Sequence, residues 1–450
     1  MVAMLTFGQL PWPQALASPM PHDAFQALQH ANYRRFAAGF VLNSLGLHVL
    51  TTAVLWDVWE RTHDPLALGI TGLCRALPVV LLALVAGHAA DRFERTRIIT
   101  ICQVCFAAVC ASFAWLDLHD APIWQFYLLL ILSGCVRAFA GPARSSLLPL
   151  LVPRRNLENA VNWNSGFFQV AAISGPIATG LVIDSTGSTW QLYLVAAGLT
   201  ASLAVVAPFL RPEPAPRATE GLTLRSLVAG ARFIVGERVV FGALLLDLLA
   251  VLFGGATALL PMYADEILHI GQKGLAFGVL KASPYVGALI MAAFLASRPP
   301  IRRAGPALLW SVAGFGACMV VFGLSTSFLI AAIALVISGA LDAVSVTIRH
   351  MLVQTRTPNE LRGRVSAVNT MFIECSNELG SFESGLVARW MGPVFSVVSG
   401  GIGTLVVVGM IAARFPTLRG LRGLTDEEPH AGRAEGTRET NEAAGDTAVP

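Results

Sequence analysis

Residues 66–97 read LALGITGLCRALPVVLLALVAGHAADRFERTR. The stretch from Leu66 to Ala90 holds one charge, Arg75, and the next seven residues hold five: Asp91, Arg92, Glu94, Arg95 and Arg97. A helix needs about 20 apolar residues to cross the ~30 Å hydrocarbon core of a bilayer, so this stretch reads as one membrane span followed by a charged turn in water. The same alternation recurs along the chain. Twelve such runs fall at approximately 36–57, 66–88, 98–116, 122–148, 160–183, 190–210, 239–262, 274–296, 306–324, 327–347, 365–388 and 393–413.

Arginine placement orients them. The ends and loops on one side carry 25 of the 31 Lys and Arg, including Arg34, Arg35, Arg154, Arg155, Arg211, Arg217, Arg302 and Arg303. The opposite loops carry only Arg61, Lys273 and Arg389, and Arg75, Arg137 and Lys281 lie inside spans. Cytoplasmic loops are the ones enriched in Lys and Arg, which predicts a multi-pass membrane protein with both termini in the cytoplasm.

Composition excludes the alternatives. The 450 residues are 55% hydrophobic and 13% charged, about half the charge of a soluble domain (roughly 25%). A net charge of +3 is too small for a nucleic-acid-binding surface. All seven cysteines lie in apolar stretches, including the CxxC pair Cys102 and Cys105, and read as small hydrophobes rather than disulfide, redox or metal sites. No Gly-x-x-x-x-Gly-Lys-Ser/Thr loop is present, and the loops are too short to hold an enzyme domain. Neither a cofactor nor a metal is expected. The partners expected are the lipid bilayer, a small-molecule substrate and protons, and a monomer suffices.

The predicted organisation is a cytoplasmic N-terminal segment (1–35), a six-helix bundle (36–210), a cytoplasmic linker (211–238), a second six-helix bundle (239–413) and a disordered cytoplasmic tail (414–450). Residues 1–31 lack the pattern of a cleaved signal peptide, and Met20 is an alternative start to Met1. The linker opens with the stiff Arg211-Pro-Glu-Pro-Ala-Pro-Arg217. It continues with Leu222, Leu224, Leu227, Val228, Phe233 and Ile234 among arginines, a pattern for an amphipathic helix on the inner leaflet. The two sides of the linker echo each other: Pro153 after the fourth run and Pro358 after the tenth are 205 residues apart, and the Arg92/Arg95/Arg97 loop answers Arg298/Arg302/Arg303. Six-plus-six parallel repeats are the build of transporters that rock one half against the other around a midplane site.

The loop Gly87-His-Ala-Ala-Asp91-Arg92-Phe-Glu94-Arg95 resembles the signature of the major facilitator superfamily, Gly-x-x-x-Asp-Arg-x-Gly-Arg-Arg/Lys, with Glu94 in place of the second glycine. Further stretches resemble the branch that includes enterobactin exporters and macrolide efflux proteins. These are Phe139-Ala-Gly-Pro142-Ala-Arg144 with Leu151-Val152-Pro153, and Thr357-Pro358 with Leu361-Arg362-Gly363-Arg364-Val365. Arg137 with Gly141 resembles an Arg-x-x-x-Gly motif of proton-coupled exporters. Gly175-Pro176-Ile-Ala-Thr179-Gly180 resembles their antiporter motif, with Thr179 at one glycine position. The resemblance implies an all-α integral membrane fold of 12 transmembrane helices, expected in the bacterial cytoplasmic (inner) membrane. It gives Gly87, Asp91, Arg92, Arg95, Gly175, Pro176, Gly180, Arg362, Gly363 and Arg364 gating roles. Read from the residues alone, the Gly175-Pro176-Gly180 segment is equally a proline kink with close helix packing.

Charges inside the bilayer mark chemistry, because each costs at least ~2.5–3.5 kcal/mol on an insertion scale unless paired or hydrated. Glu374 and Glu378 are one turn apart near mid-membrane, on one helix face. Two carboxylates in one low-dielectric cavity do not easily both ionise, so one could carry the coupling proton; the alternative is structural pairing with Arg75 or Arg137. Asp342, seven residues before Arg349, is a candidate for an ion pair or gate latch with that arginine and, less strongly, for proton transfer. Asp247 could join the cavity or face a neighbouring helix. Arg75, Arg137 and Lys281 could give the cavity a cationic wall for an anionic or catechol-like ligand, although Lys281 is placed near the outer surface, where a lysine snorkels. His48 is either packing or a cavity group. The function expected is proton-coupled efflux of a small amphiphilic molecule, siderophore-like or drug-like. The alternatives are uptake by the same fold, or a sensor or scaffold whose charges are all fixed in pairs without a wet cavity.

Overall fold

The computed structural model describes residues 25–213, 224–268, 270–298, 301, 303–358 and 361–422. The alternative start at Met20, the linker residues Arg217 and Leu222, Arg302 and the tail from Thr425 lie outside them. The described residues form fifteen α-helices: α1 Ala31–Thr62, α2 Pro65–Arg92, α3 Arg95–Leu118, α4 Ile123–Leu147, α5 Leu157–Thr186, α6 Trp190–Val206, α7 Leu224–Gly236, α8 Arg238–Phe253, α9 Leu260–Met262, α10 Lys273–Ala296, α11 Ala304–Leu324, α12 Phe328–Arg356, α13 Arg362–Met391, α14 Pro393–Arg414 and α15 Pro416–Arg419. Lipid offers a backbone no hydrogen-bond partner, so an apolar chain satisfies its N–H and C=O groups within helices.

The breaks between helices follow local chemistry. The Asp64 side chain accepts from Leu66 N at 3.0 Å, and Pro65, which has no N–H to satisfy, opens α2. Gly187 ends α5 with φ +65°, a left-handed conformation that costs glycine little. The seventh run is interrupted. α8 stops at the Gly254–Gly255 pair, a 3-10 turn spans Gly255–Leu259, α9 carries Pro261, and a π-helical turn closes at Ile267. Gly255 lies so close to the Gly380 carbonyl of α13 that a Cβ there would collide with it.

Eleven of the described helical segments are long and apolar enough to cross a membrane, with α8 through Ile267 counted as one. α13, where the eleventh run falls, has the length but not the apolarity, since it carries Glu374, Glu378 and Glu383. It packs against α2, α8 and α14.

The packing order is the same before and after the linker. α1 packs on α5 and α6, α2 on α4, and α3 on α4 and α6; correspondingly α8 packs on α13 and α14, α10 on α12, and α11 on α12 and α14. Two seams join these groups of helices, α5 against α10 and α2 against α13. Small residues let the backbones meet there. Gly180 faces the Gly274 backbone, Gly278 faces the Pro176 carbonyl, Gly69 faces Phe382, and Gly385 faces Pro65. These contacts all lie toward the helix ends remote from Ala31 and Arg92, which we call the far end; the other is the arginine-rich end.

Candidate functional site

The site lies between the two groups of helices and is organised by α13. Arg75, on α2, donates from Nη2 to both oxygens of Glu378, at 3.2 and 3.2 Å. One turn nearer the arginine-rich end, Arg137 on α4 donates from Nη2 to Glu374 Oε2 at 3.3 Å. Both carboxylates therefore come from one helix of the second group and both guanidinium groups from the first. The pairs differ in wetness: the Glu378 and Arg75 side chains are 11% and 19% exposed, those of Glu374 and Arg137 43% and 31%. Gly72, on α2 one turn before Arg75, lacks the Cβ that would strike Glu378 Oε2. The two glutamates do not share one unshielded pocket, since each faces its own arginine.

Further groups surround these pairs. His48 on α1 sets its ring edge-on to Phe168 of α5 at 5.2 Å and to Tyr285 of α10 at 5.7 Å. Lys281, one turn from Tyr285, corrects the expectation of a snorkelling lysine. Its Nζ is buried without a hydrogen-bond partner among the described residues and sits 5.7 Å from the Phe277 ring centre. About eight residues in from the start of α10, it is too deep to reach the far surface.

The expected pairing of Asp342 with Arg349 is also corrected. Arg349, buried, pairs with Asp247 across from it on α8, while its Nε donates to Ser345 Oγ at 3.3 Å. Two turns along an axis separate Asp342 from Arg349 by about 10 Å, whereas α8 presents Asp247 alongside. Asp247 thus faces a neighbouring helix. Asp342 is exposed and makes no hydrogen bond or ion pair among the described residues.

The gating candidates split in two. Gly175, Pro176 and Gly180 line α5 where it meets α1 and α10: a Cβ at Gly175 would lie 2.8 Å from His48 Cβ, and Pro176 and Gly180 form the α5–α10 seam. The others lie at the arginine-rich end. Gly87 and Asp91 are in the last turns of α2, and Arg92 closes that helix, exposed. Arg95 opens α3 and donates from Nε to Ser146 Oγ at 3.3 Å. Arg362, Gly363 and Arg364 open α13; Arg362 donates to the Gln354 carbonyl at 3.1 Å, and the Arg364 carbonyl abuts Gly230 of α7.

Two networks at the far end were not anticipated. Within the first group, Arg61 donates from Nε to Asp57 Oδ1 at 2.6 Å and from Nη2 to Asp117 Oδ1. Tyr193 donates to Asp57 at 2.9 Å and Thr189 to Asp117 at 2.8 Å. Between the groups, Trp59 Nε1 donates to Asp265 at 3.0 Å, Asp64 pairs with Arg389 at 3.1 Å, and Asp184 caps α10; within the second group Asp265 also pairs with Lys273. The signal for these was the acidic residue at the end of each apolar run, which reads as loop until the helices are assembled.

A family model described as Major Facilitator Superfamily matches residues 36–381. Among curated proteins, the chain is 27% identical over 419 residues to the enterobactin exporter EntS of Escherichia coli O81 (strain ED1a), covering 91% of this chain and 96% of that one. Among solved structures, it resembles a bacterial homolog to the human lysosomal transporter Spinster in an inward-facing, occupied conformation, with a TM-score of 0.65 at 14% identity over 89% of this chain and 98% of that one. It also resembles a D-xylose–proton symporter, with a TM-score of 0.64 at 15% identity over 86% and 98%.

Proposed function

The chain belongs to the Major Facilitator Superfamily and is a multi-pass membrane transporter, not an enzyme, and we propose that it exports a small amphiphilic molecule in exchange for protons. The arginine-rich end faces the cytoplasm of a bacterial inner membrane, where both termini lie, and twelve spans form two six-helix halves. α13, though polar, is the remaining span, with Glu374 and Glu378 turned to the arginines of the other half.

The observation that carries this reading is the pair of ties Arg75–Glu378 and Arg137–Glu374, each joining one half to the other. With both glutamates ionised, the ties hold the halves together beside the closed far-end seams, and the empty transporter is locked open to the cytoplasm. A proton on a glutamate removes the charge that holds its arginine, and a substrate that engages the arginine does the same. Either occupant releases the lock, and the empty protein does not move; this is the condition for tight exchange. The gradient from the dry Glu378 to the wet Glu374 gives the proton a way out to the cytoplasmic side. The family likeness to an enterobactin exporter supports the outward direction. The exposed Asp342, the half-exposed Glu374 and Lys281, which has no ion pair among the described residues, speak against a scaffold with every charge fixed.

The test is transport in everted vesicles, with enterobactin and a panel of amphiphilic dyes as probes. Acidifying the lumen should drive accumulation by the wild type. Glu374→Gln and Glu378→Gln should abolish that drive while equilibrium exchange of the probe continues. Unchanged proton-driven accumulation in both variants would remove the glutamates from the mechanism.

A further inference from the structure

We propose that His48 Nε2, Arg75 Nε and Lys281 Nζ form an oxyanion site between the two halves, which receives the negatively charged oxygen-bearing end of an aromatic substrate. The inference rests on the transport reading above and specifies what it carries.

These three nitrogens are buried and have no hydrogen-bond partner among the described residues. They come from three helices, α1, α2 and α10, and so from both halves. The His48 ring lies 5.7 Å from that of Tyr285, one turn along α10 from Lys281, and Arg75 borders a void together with Leu47 and Thr51, which flank His48 on α1. Arg75 spends Nη2 on Glu378, which leaves Nε free. His48 supplies a third donor in the tautomer that carries its proton on Nε2. Buried donors are normally satisfied, and three unsatisfied ones on the neighbouring helices α1, α2 and α10 call for a missing acceptor. Charge says which kind. Arg75 and Glu378 neutralise each other, and no carboxylate is paired with Lys281 among the described residues, so a negative ligand completes the balance where a cation would meet repulsion.

The walls indicate the rest of the ligand. Phe168 and Tyr285 stand around the His48 ring, and Phe277, beneath Lys281, stacks on Trp56 at 5.7 Å. Flat apolar rings suit an aromatic body. A void of about 20 Å3 beside Arg75, bounded by Leu47, Thr51, Val54 and Arg137 of the first group of helices, admits roughly one water-sized group, which is room for one oxygen at the arginine end of the site. An oxyanion on Arg75 also competes with Glu378, which makes substrate binding the event that unties the halves.

The experiment is calorimetric titration of the purified full-length protein in phosphatidylcholine nanodiscs, where no anionic headgroup competes. The probes are benzoate, benzamide and benzylamine, one ring with three charges. Benzoate should bind at least tenfold more tightly than the other two. Lys281→Met, close in shape to the lysine, should cost benzoate tenfold or more and leave benzamide unchanged, and Lys281→Arg should restore it. Should Lys281→Met fail to fold, His48→Leu carries the same expectation for benzoate. Equal binding of benzoate and benzamide, or wild-type benzoate affinity in a folded variant, would mean that the donors hold water only and would overturn the site. Binding is measured without transport, so the two readings fail separately: benzoate binding without proton-driven efflux keeps the site and overturns export, and efflux with indifference to benzoate does the reverse.

Discussion

Asp184, in the last turn of α5, accepts hydrogen bonds from the backbone N–H groups of Gly274 and Leu275, both at 2.8 Å, and so caps α10 of the other half. The N-cap residue of α10 itself, Gln272, makes no side-chain cap. The first turn of a helix has unsatisfied donors and a partial positive charge, and here the acceptor arrives only when the α5–α10 seam is shut. Gly274 permits the approach, since a Cβ there would lie 2.9 Å from the Asp184 carboxylate.

Asp184→Ala should therefore favour the state open at the far end. An exposed cap is worth about 1 kcal/mol, which shifts the balance roughly fivefold. Spin labels at Ser188→Cys and Gly271→Cys, in a background without the native cysteines, should show a longer distance in a larger fraction of molecules. An unchanged distribution would make the cap incidental.

The two aspartates of the second half should separate by phenotype. Asp247→Ala strands the buried Arg349 and should cost about 3–5 kcal/mol, read as a fall in the unfolding temperature of the purified protein. Asp342→Asn removes an exposed charge with no ion pair among the described residues and should leave that temperature in place. A reversed order would contradict the pairing.

Arg61 serves two carboxylates at once, with its guanidinium 4.8 Å from the Phe126 ring centre. Arg61→Met leaves Asp57 and Asp117 without their common cation and should cost about 3–5 kcal/mol in the same measurement. Tyr193→Phe, which takes one donor from Asp57, should cost about 1–3 kcal/mol. A neutral result for Arg61→Met would show that water replaces it.

What the sequence made legible follows from the range of the forces involved. A run of apolar residues is a local property, and the expected spans at 36–57, 66–88 and 274–296 fall within α1, α2 and α10. Glu374 and Glu378 were legible because a charge in such a run is costly wherever it lies. The partner of a charge is not local. Arg349 has Asp342 on its own helix, and only the packing of α8 against α12 places Asp247 nearer. Asp57 closes its apolar run and Arg61 counted as loop, so their network with Asp117 stayed hidden until three helices met. For Lys281 the run says nothing of what surrounds the amine, and only the assembled helices show it buried beside Phe277. The seventh run reads as continuous because Gly254, Gly255 and Pro261 are common in membrane helices, and whether they break one depends on the neighbour, here Gly380.

The central claim is that ionised Glu374 and Glu378 hold the halves together. It is tested most directly by the far-end distance, between labels at Ser188→Cys and Gly271→Cys, followed against pH without substrate. The wild type should show one short distance at alkaline pH and gain a longer one on acidification, as protons take the glutamates from Arg137 and Arg75. With Glu374→Gln and Glu378→Gln combined, both distances should be present at every pH. A wild-type distance that ignores pH, or a double variant that still titrates as the wild type does, would contradict the account.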